Sequence, residues 1–126
     1  MRVLFICCLL TFAAPALADT TFATGSMLYG ASVTTTVCSI YNAGSTPVEI
    51  TSVGIVPWNA TSGTGAASGD DCTTALLAAD ATCHFSGSFG VYGGGIAKIH
   101  GSTRNLRGAC TLTDAGSVVV LSEQMR

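Results

Sequence analysis

The sequence predicts an all-β fold, an antiparallel β-sandwich of about seven strands held by two disulfides. Three observations predict it. Apolar residues recur at every second position in several segments, no sustained helical stripe occurs, and 15 glycines with other turn-forming residues separate the segments. Of the 126 residues 48% are hydrophobic and 10% are charged, which excludes an intrinsically disordered chain. One ordinary domain accounts for this length.

Residues 1–18 have the features of a secretory signal peptide. Arg2 supplies the positive charge, an apolar run of about ten residues follows, and Ala16 and Ala18 belong to a small-x-small cleavage site. We predict cleavage before Asp19, which leaves residues 19–126 as the domain. The apolar run is shorter than the ~20 residues of a membrane span, so none is expected in the mature form. The alternative is a first helix packed on the domain.

The four cysteines that remain after cleavage predict two disulfides, because an even number is expected in an exported chain. Of three possible pairings we favour Cys72–Cys83, which bracket a short segment, and Cys38–Cys110, which both lie in alternating strand patterns. Zinc bound by thiolates and His84 is the alternative use. No paired Cys-x-x-Cys motif occurs, so we predict no metal site and no cofactor.

Seven segments favour extended strands, in chain order residues 21–28, 32–41, 47–56, 82–89, 96–102, 106–113 and 117–122. The second segment is rich in β-branched Thr and Val. In the third segment the apolar residues change from even positions (48 and 50) to odd positions (53 and 55), which predicts a β-bulge near Thr51 or Ser52. In the last, the apolar run 118–121 does not alternate and is expected to be buried on both faces.

Alternation also predicts which side chains point to the core. Cys83 and Phe85 fall on one face of their strand and His84 on the other, and the same pattern in residues 106–113 points Cys110 inwards.

The connections between strands are predicted from Gly, Pro, Asn and Ser. Residues 42–47 are expected to form a turn and the three glycines 93–95 a flexible one. Residues 57–71 are expected to form a long loop rich in Gly, Ser, Ala and Thr, and residues 73–80 could form one or two helical turns.

Residues 41–53, YNAGSTPVEITSV, and residues 77–83, LAADATC, resemble the immunoglobulin-like domains of the hydin or ASH type, which occur in bacterial secreted and eukaryotic ciliary proteins. In that family an Asn-x-Gly-x-x-Pro turn joins two strands, and a later segment from leucine to cysteine leads into a strand ending in Phe. The chain departs from the family where Gly90, not proline, follows Phe89, and in its additional central loop. The resemblance implies an immunoglobulin-like sandwich of seven strands that binds or scaffolds, without catalytic residues.

Charge and motifs exclude several function classes. Five Lys and Arg against seven Asp and Glu give a net charge of −2, without the basic excess of a nucleic-acid partner. No Gly-x-Ser-x-Gly motif occurs, and His84 and His100 are expected at the surface, so we predict no catalytic residues and no enzyme. Asp70 and Asp71 could hold a cation or act as an acid/base pair, but solvation of the loop or a cap on the following turn is the favoured interpretation.

Four residues are candidates for binding: Trp58, Asn59, Arg104 and Arg107. Trp58 could anchor a partner or stack on a sugar, or it could plug one end of the sandwich. Asn59 begins an Asn-x-Thr glycosylation sequon. Arg104 and Arg107 form the only basic pair, at a predicted hairpin, where they could contact an anion or a partner, or simply be solvated.

These observations predict a secreted or periplasmic, disulfide-stabilised binding or scaffolding module whose partner is a protein or a surface polysaccharide. The alternatives are a pilin-like surface-fibre subunit and a small carbohydrate-binding module that uses the Trp58 loop. Residues 19–126 contain 16 threonines and 12 serines but few charges. Such strands protect their edges weakly, so self-association through an edge strand is a further prediction.

Overall fold

The computed structural model describes residues 18–24, 27–28, 33–56, 65–88, 92–114 and 119–126. Within these ranges the chain forms two antiparallel β-sheets and no helix. The predicted all-β, two-disulfide β-sandwich is therefore confirmed.

The described residues form ten strands: β1 (Asp19–Ala23), β2 (Met27–Leu28), β3 (Val33–Asn42), β4 (Glu49–Val56), β5 (Gly65–Ala66), β6 (Gly69–Asp70), β7 (Thr82–Gly87), β8 (Tyr92–His100), β9 (Leu106–Asp114) and β10 (Val119–Met125). Three of them, β2, β5 and β6, have two residues each. The seven longer strands correspond to the seven predicted segments. β8 differs most, because it begins four residues before the predicted start at 96.

The first sheet has the order β1-β8-β4-β5, with β2 also paired to β8, and the second has the order β10-β9-β3-β7-β6. The register of β4 against β8 shifts between Ile50 and Ser52, so the predicted bulge is confirmed. Strands that follow each other in the chain often lie in different sheets: β3 is in the second sheet and β4 in the first, and β8 is in the first sheet and β9 in the second. The connections between these strands therefore cross from one sheet to the other.

The facing sides of the sheets enclose one apolar core. In β7, Cys83 and Phe85 are buried while His84 is exposed, and in β9 every second residue from Leu106 to Leu112 faces inwards or is buried. The predictions of which side chains in β7 and β9 face the core are thus confirmed. The side chains of residues 118–121 lie outside the described part, so their predicted burial stays a prediction. In the part of the chain that the structure describes, the buried apolar residues are Phe22, Cys38, Ile40, Ile50, Ile55, Cys72, Leu77, Cys83, Phe85, Ala97, Ile99, Leu106, Cys110, Leu112 and Met125.

Both favoured disulfides are present. Cys38 and Cys110 lie directly opposite each other in β3 and β9, so this bridge joins neighbouring strands of the second sheet. Cys72–Cys83 ties the segment after β6 to β7. Two disulfides indicate that the chain matures in an oxidising environment of the extracellular type.

The prediction of a flexible turn at residues 93–95 is wrong, because these glycines belong to β8. Gly95 of the first sheet packs against the Cys38–Cys110 disulfide of the second. A Cβ atom at Gly95 would lie 2.4 Å from each of the two sulfurs. Glycine is therefore required here by the close approach of the disulfide and not by a turn.

The predicted helical turns at residues 73–80 are also wrong. Leu77 pairs with Val48 through two backbone hydrogen bonds, of 2.8 and 3.0 Å, so its N–H and C=O groups are not available to a helix. The capping role of Asp70 does occur: its Oδ1 accepts hydrogen bonds from the N–H groups of Cys72 and Thr73, at 2.7 and 3.2 Å. Asp70 therefore caps a turn, but the chain after this turn is irregular and not helical.

The two sheets are joined along both sides. On one side, Ala23 of β1 and Arg126 exchange two backbone hydrogen bonds of 3.0 and 2.8 Å. On the other side, β5 pairs with β4, β6 pairs with β7, and Leu77 pairs with Val48. Within the described ranges, no helix has the length and apolar character needed to cross a membrane.

Candidate binding surface

Three connections meet at one end of the sandwich, which we call the Asn42 end: residues 43–48 between β3 and β4, residues 78–81 before β7, and residues 101–105 between β8 and β9. The last of these joins strands of different sheets, and β8 does not pair with β9. The predicted hairpin at Arg104 and Arg107 is therefore wrong, since the connection crosses between the sheets.

Asn42 fastens two of these connections together. Its side chain is completely buried. Its Nδ2 group donates to the carbonyl oxygens of Thr46 at 2.9 Å, Leu77 at 3.1 Å and Ala78 at 3.2 Å, and its Oδ1 accepts from the Gly44 N–H at 2.9 Å. A carboxamide suits this position because it offers two N–H donors and an acceptor on one short side chain.

Backbone hydrogen bonds extend this network to the third connection. The Asn42 N–H donates to the Ala81 carbonyl at 3.0 Å and its own carbonyl accepts from Asp80 at 2.9 Å, while the Ala43 N–H donates to the Asn105 carbonyl at 2.9 Å. All three connections are thus held in one arrangement. In the sequence, the Asn-x-Gly-x-x-Pro pattern predicts the turn at residues 42–47 but not this network.

A cleft of about 260 Å³ lies between the first and third connections. It is smaller than the roughly 300–1,000 Å³ of pockets that enclose a whole small molecule. A cleft of this size fits one side chain or one small ring of a larger partner. Its lining mixes polar and apolar groups and consists of Asn42, Gly44, Thr46, Pro47, Val48, His100, Gly101, Ser102, Asn105 and Leu106.

The two histidines lie in different sheets, and both are exposed, as predicted. His100 Nδ1 lies 3.2 Å from Oδ1 of Asp19, the residue predicted to begin the mature chain. His84 Nδ1 lies 3.8 Å from Oδ2 of Asp71, whose carboxylate also accepts the His84 backbone N–H. Each imidazole thus contacts one aspartate at the surface. Among the described residues neither imidazole forms a hydrogen bond with a Ser, Thr or Cys side chain.

The two candidate arginines have different roles. Arg107 Nη1 donates to the carbonyl oxygens of Arg104 at 3.1 Å and Leu106 at 2.8 Å, so this guanidinium supports the connection. The Arg104 side chain is exposed, and its guanidinium has no hydrogen-bond or ion-pair partner within the described ranges. Its backbone N–H donates to Ser102 Oγ at 3.2 Å, so the turn holds this residue through main-chain atoms.

Trp58 and Asn59 lie outside the described residues. Val56, which ends β4 before them, pairs with Gly94, whereas Glu49 at the other end of β4 pairs with His100. At about 3.3 Å per residue, the seven steps along β4 span roughly 23 Å. Val56, the last described residue before them, therefore lies at the end of β4 opposite to the two arginines.

Tyr41 is an exposed aromatic residue beside the Asn42 end that is not among the four predicted binding residues. Its side chain points outwards from the second sheet, is 37% exposed, and lies opposite Arg107 in the β3–β9 register. Its hydroxyl donates to Asp80 Oδ1 at 2.9 Å. That hydrogen bond and the negative charge of Asp80 raise the pKa of Tyr41 above 10.0. The signal was available, because alternation around Cys38 and Ile40 places residue 41 on the polar face.

One cluster has the composition of a metal site. Ligand atoms of Asp71, Cys72 and Cys83 lie within 4.8 Å of one another. The two sulfurs are joined in a disulfide, so they are not thiolates and do not suit a metal ion. The cluster is a disulfide with a neighbouring carboxylate.

Comparison of the chain with protein-family models, with curated proteins and with solved structures finds no match. The resemblance to hydin- or ASH-type domains therefore stays a prediction, and the candidate surface is argued from its own geometry.

Proposed function

We propose that residues 19–126 act, after export, as a secreted or periplasmic binding module, and that the Asn42 end contacts the partner. The signal-like residues 1–18 support export, and the two disulfides support an oxidising destination. The module works by binding and has no catalytic step.

The network around Asn42 is the observation that carries this proposal. Exposed connecting segments are the usual place for binding residues, which a stable scaffold holds in position. Here one buried side chain and its backbone neighbours hold three connections in fixed positions. A surface that is already ordered loses little conformational entropy on binding, which favours affinity.

Arg104 and the adjacent cleft supply the chemistry of contact. The Arg104 guanidinium offers five N–H donors in a planar fork that suits carboxylate and carbonyl groups. The cleft beside it combines apolar surface from Pro47, Val48 and Leu106 with polar groups from Ser102 and Asn105. Such a surface fits a partner that presents one protruding group and hydrogen-bond acceptors around it.

A pair of matched charge reversals tests the proposal. The exported, oxidised protein is used to capture its partner from periplasmic and extracellular fractions of the source organism, and the dissociation constant of the purified pair is then measured by biolayer interferometry. Arg104→Glu should weaken binding by about tenfold or more, about 1.4 kcal/mol. Lys98→Glu makes the same charge change on the outer face of the first sheet and should alter binding by less than about threefold.

Each outcome of this experiment decides for or against the proposal. Equal losses for both variants, or none for either, would show that the Asn42 end is not the contact surface. Recovery of only further copies of the chain would favour the fibre subunit over a module with a separate partner. Both variants change exposed side chains, so their melting temperatures should remain close to that of the wild type.

A further inference from the structure

A shallow groove of about 240 Å³ lies on the outer face of the second sheet, next to the Asn42 end. Its position follows from the strand register. Tyr41 lies opposite Arg107, Ser39 lies opposite Ala109, and Ala109 lies opposite Gln124. Ala109 has the smallest side chain of these five residues, so it forms the floor of the groove. The larger side chains around it form the walls.

Tyr41 forms a fixed aromatic wall of this groove. Its ring is held at the hydroxyl end by the 2.9 Å hydrogen bond to Asp80, a residue with a φ of 57°. An aspartate tolerates this left-handed conformation better than most residues. A tyrosine held in this way presents apolar ring surface with little entropy left to lose on binding.

Hydrogen-bonding groups surround the ring. Arg107 uses only Nη1 to support its connection, which leaves three of its five N–H donors without a partner among the described residues. The Ser39 hydroxyl and the Gln124 carboxamide likewise have no protein partner within the described ranges. The groove therefore offers one stacking surface together with several donors and acceptors.

We propose that this groove, the Tyr41 groove, binds one ring of a neutral, extended, β-linked saccharide. The proposal rests on the proposed function and adds a ligand class to it. The apolar C–H face of the sugar ring stacks on Tyr41, and the ring hydroxyls bond to Arg107, Ser39 and Gln124.

Charge and shape favour a saccharide over a protein partner. Arg107 lines the groove, and Asp80 lies on the opposite side of Tyr41 without lining it, so the charges on the two sides of the ring offset each other and suit a neutral ligand. Protein hot spots need apolar anchors that exclude water. Within the described ranges only Tyr41 and Leu76 are exposed large hydrophobic residues. An extended β-linked chain is flat, as is the strand surface on either side of the groove.

Binding of three neutral hexasaccharides tests the proposal, namely the β-1,4-linked hexamers of glucose, N-acetylglucosamine and xylose. Isothermal titration of the oxidised wild-type protein should detect at least one of them with a dissociation constant below about 1 mM, the weak end of the affinity scale. Tyr41→Ala should weaken that binding by at least tenfold, whereas Tyr41→Phe keeps the ring and should stay within about threefold of the wild type. Ala109→Leu fills the groove and should abolish binding without removing any of its polar groups.

Thr82→Ala is the matched control, since Thr82 lies beside Tyr41 on the same face but does not line the groove. The proposal is overturned if none of the three hexasaccharides binds, if Tyr41→Ala binds as the wild type does, or if Thr82→Ala is as damaging as Tyr41→Ala. A protein partner that is lost with Tyr41→Ala while no saccharide binds also overturns it. In that case a partner whose binding depends on Arg104 would still support the proposed function. If neither such a partner nor a saccharide binds, both the proposed function and the saccharide site are refuted.

Discussion

The contact between Gly95 and the Cys38–Cys110 disulfide allows a quantitative test of how the two sheets pack. In Gly95→Ala the new Cβ would lie 2.4 Å from each sulfur and 3.3 Å from Cζ of Phe85. The backbone at Gly95 does not have a positive φ, so the cost comes from overlap and not from backbone strain. Overpacking of a core by one methyl group costs about 1–3 kcal/mol.

The expected loss in the wild-type background is about 2 kcal/mol, which corresponds to a fall in melting temperature of roughly 8 °C for a domain of this size. The assay is thermal and urea unfolding followed by circular dichroism. The same substitution is then made in the Cys38→Ala/Cys110→Ala background, where the two sulfurs are absent. There Gly95→Ala should cost about 0.5 kcal/mol or less, because the methyl group enters vacated space and an alanine reduces the entropy of the unfolded chain.

The coupling between Gly95 and the disulfide is thus expected to be about 1.5–2 kcal/mol. Gly101→Ala is the control, since its cost arises from a φ of 105° in open space and should be the same in both backgrounds. Loss of a bridge spanning 72 residues costs roughly 4 kcal/mol, so both backgrounds are compared in a stabilising osmolyte. Equal costs of Gly95→Ala with and without the disulfide would refute the close approach of the two sheets at this point.

Two further predictions concern the Asn42 end. Asn42→Ala should lower the free energy of unfolding by about 3–5 kcal/mol, because a buried carboxamide that satisfies three carbonyls and one N–H is removed. Asn42→Asp should cost at least as much, since it keeps the acceptor but replaces the donors with a carboxylate that faces carbonyl oxygens. A loss below about 1 kcal/mol in urea unfolding of either variant would contradict the network. The hydrogen bond from Tyr41 to Asp80 stabilises neutral Tyr41 and raises its pKa above 10.0, so the stabilisation is complete below pH 10.0 and is lost as the pH rises through the raised value. In a tyrosinate absorbance titration, Asp80→Asn should lower the pKa of Tyr41, and an unchanged titration would refute the contact.

Most of the strand pattern could be predicted because it depends on local periodicity. Alternation placed Cys83, Phe85 and Cys110 in the core, and a change of phase located the bulge after Ile50. The pairing of Cys38 with Cys110 was favoured because both lie in alternating strand patterns, and the pairing of Cys72 with Cys83 because they bracket a short segment.

The errors arose where a distant segment decides the local structure. Three consecutive glycines indicate either a turn or a place where another group approaches closely, and only the position of the disulfide against Gly95 distinguishes the two. Residues 73–80 have helix-forming alanines and leucines, but Val48 takes the backbone groups of Leu77. The connection at Arg104 joins two sheets because β8 and β9 have other neighbours, which adjacency in sequence does not reveal.

The candidate site was predicted only in part. Arg104 in the connection and Arg107 in β9 do lie together at the surface, since Arg107 Nη1 donates to the Arg104 carbonyl oxygen. Asn42 and Tyr41 were overlooked as site residues because their importance comes from contacts with Leu77, Ala78 and Asp80, about 35 to 39 positions later in the chain. Alternation places residue 41 on the polar face and the Asn-x-Gly-x-x-Pro pattern indicates a turn at residue 42, but neither pattern reveals these distant partners.

The packing of the sandwich depends on oxidation of the four cysteines, and the proposed role depends in addition on the predicted export. The most direct test is peptide mapping by mass spectrometry, without reduction, of the protein recovered from the periplasm or medium of an expressing cell. The mature chain should begin at Asp19 and contain only the Cys38–Cys110 and Cys72–Cys83 bridges, with no free thiol. A retained leader, free cysteines or a different pairing would contradict it.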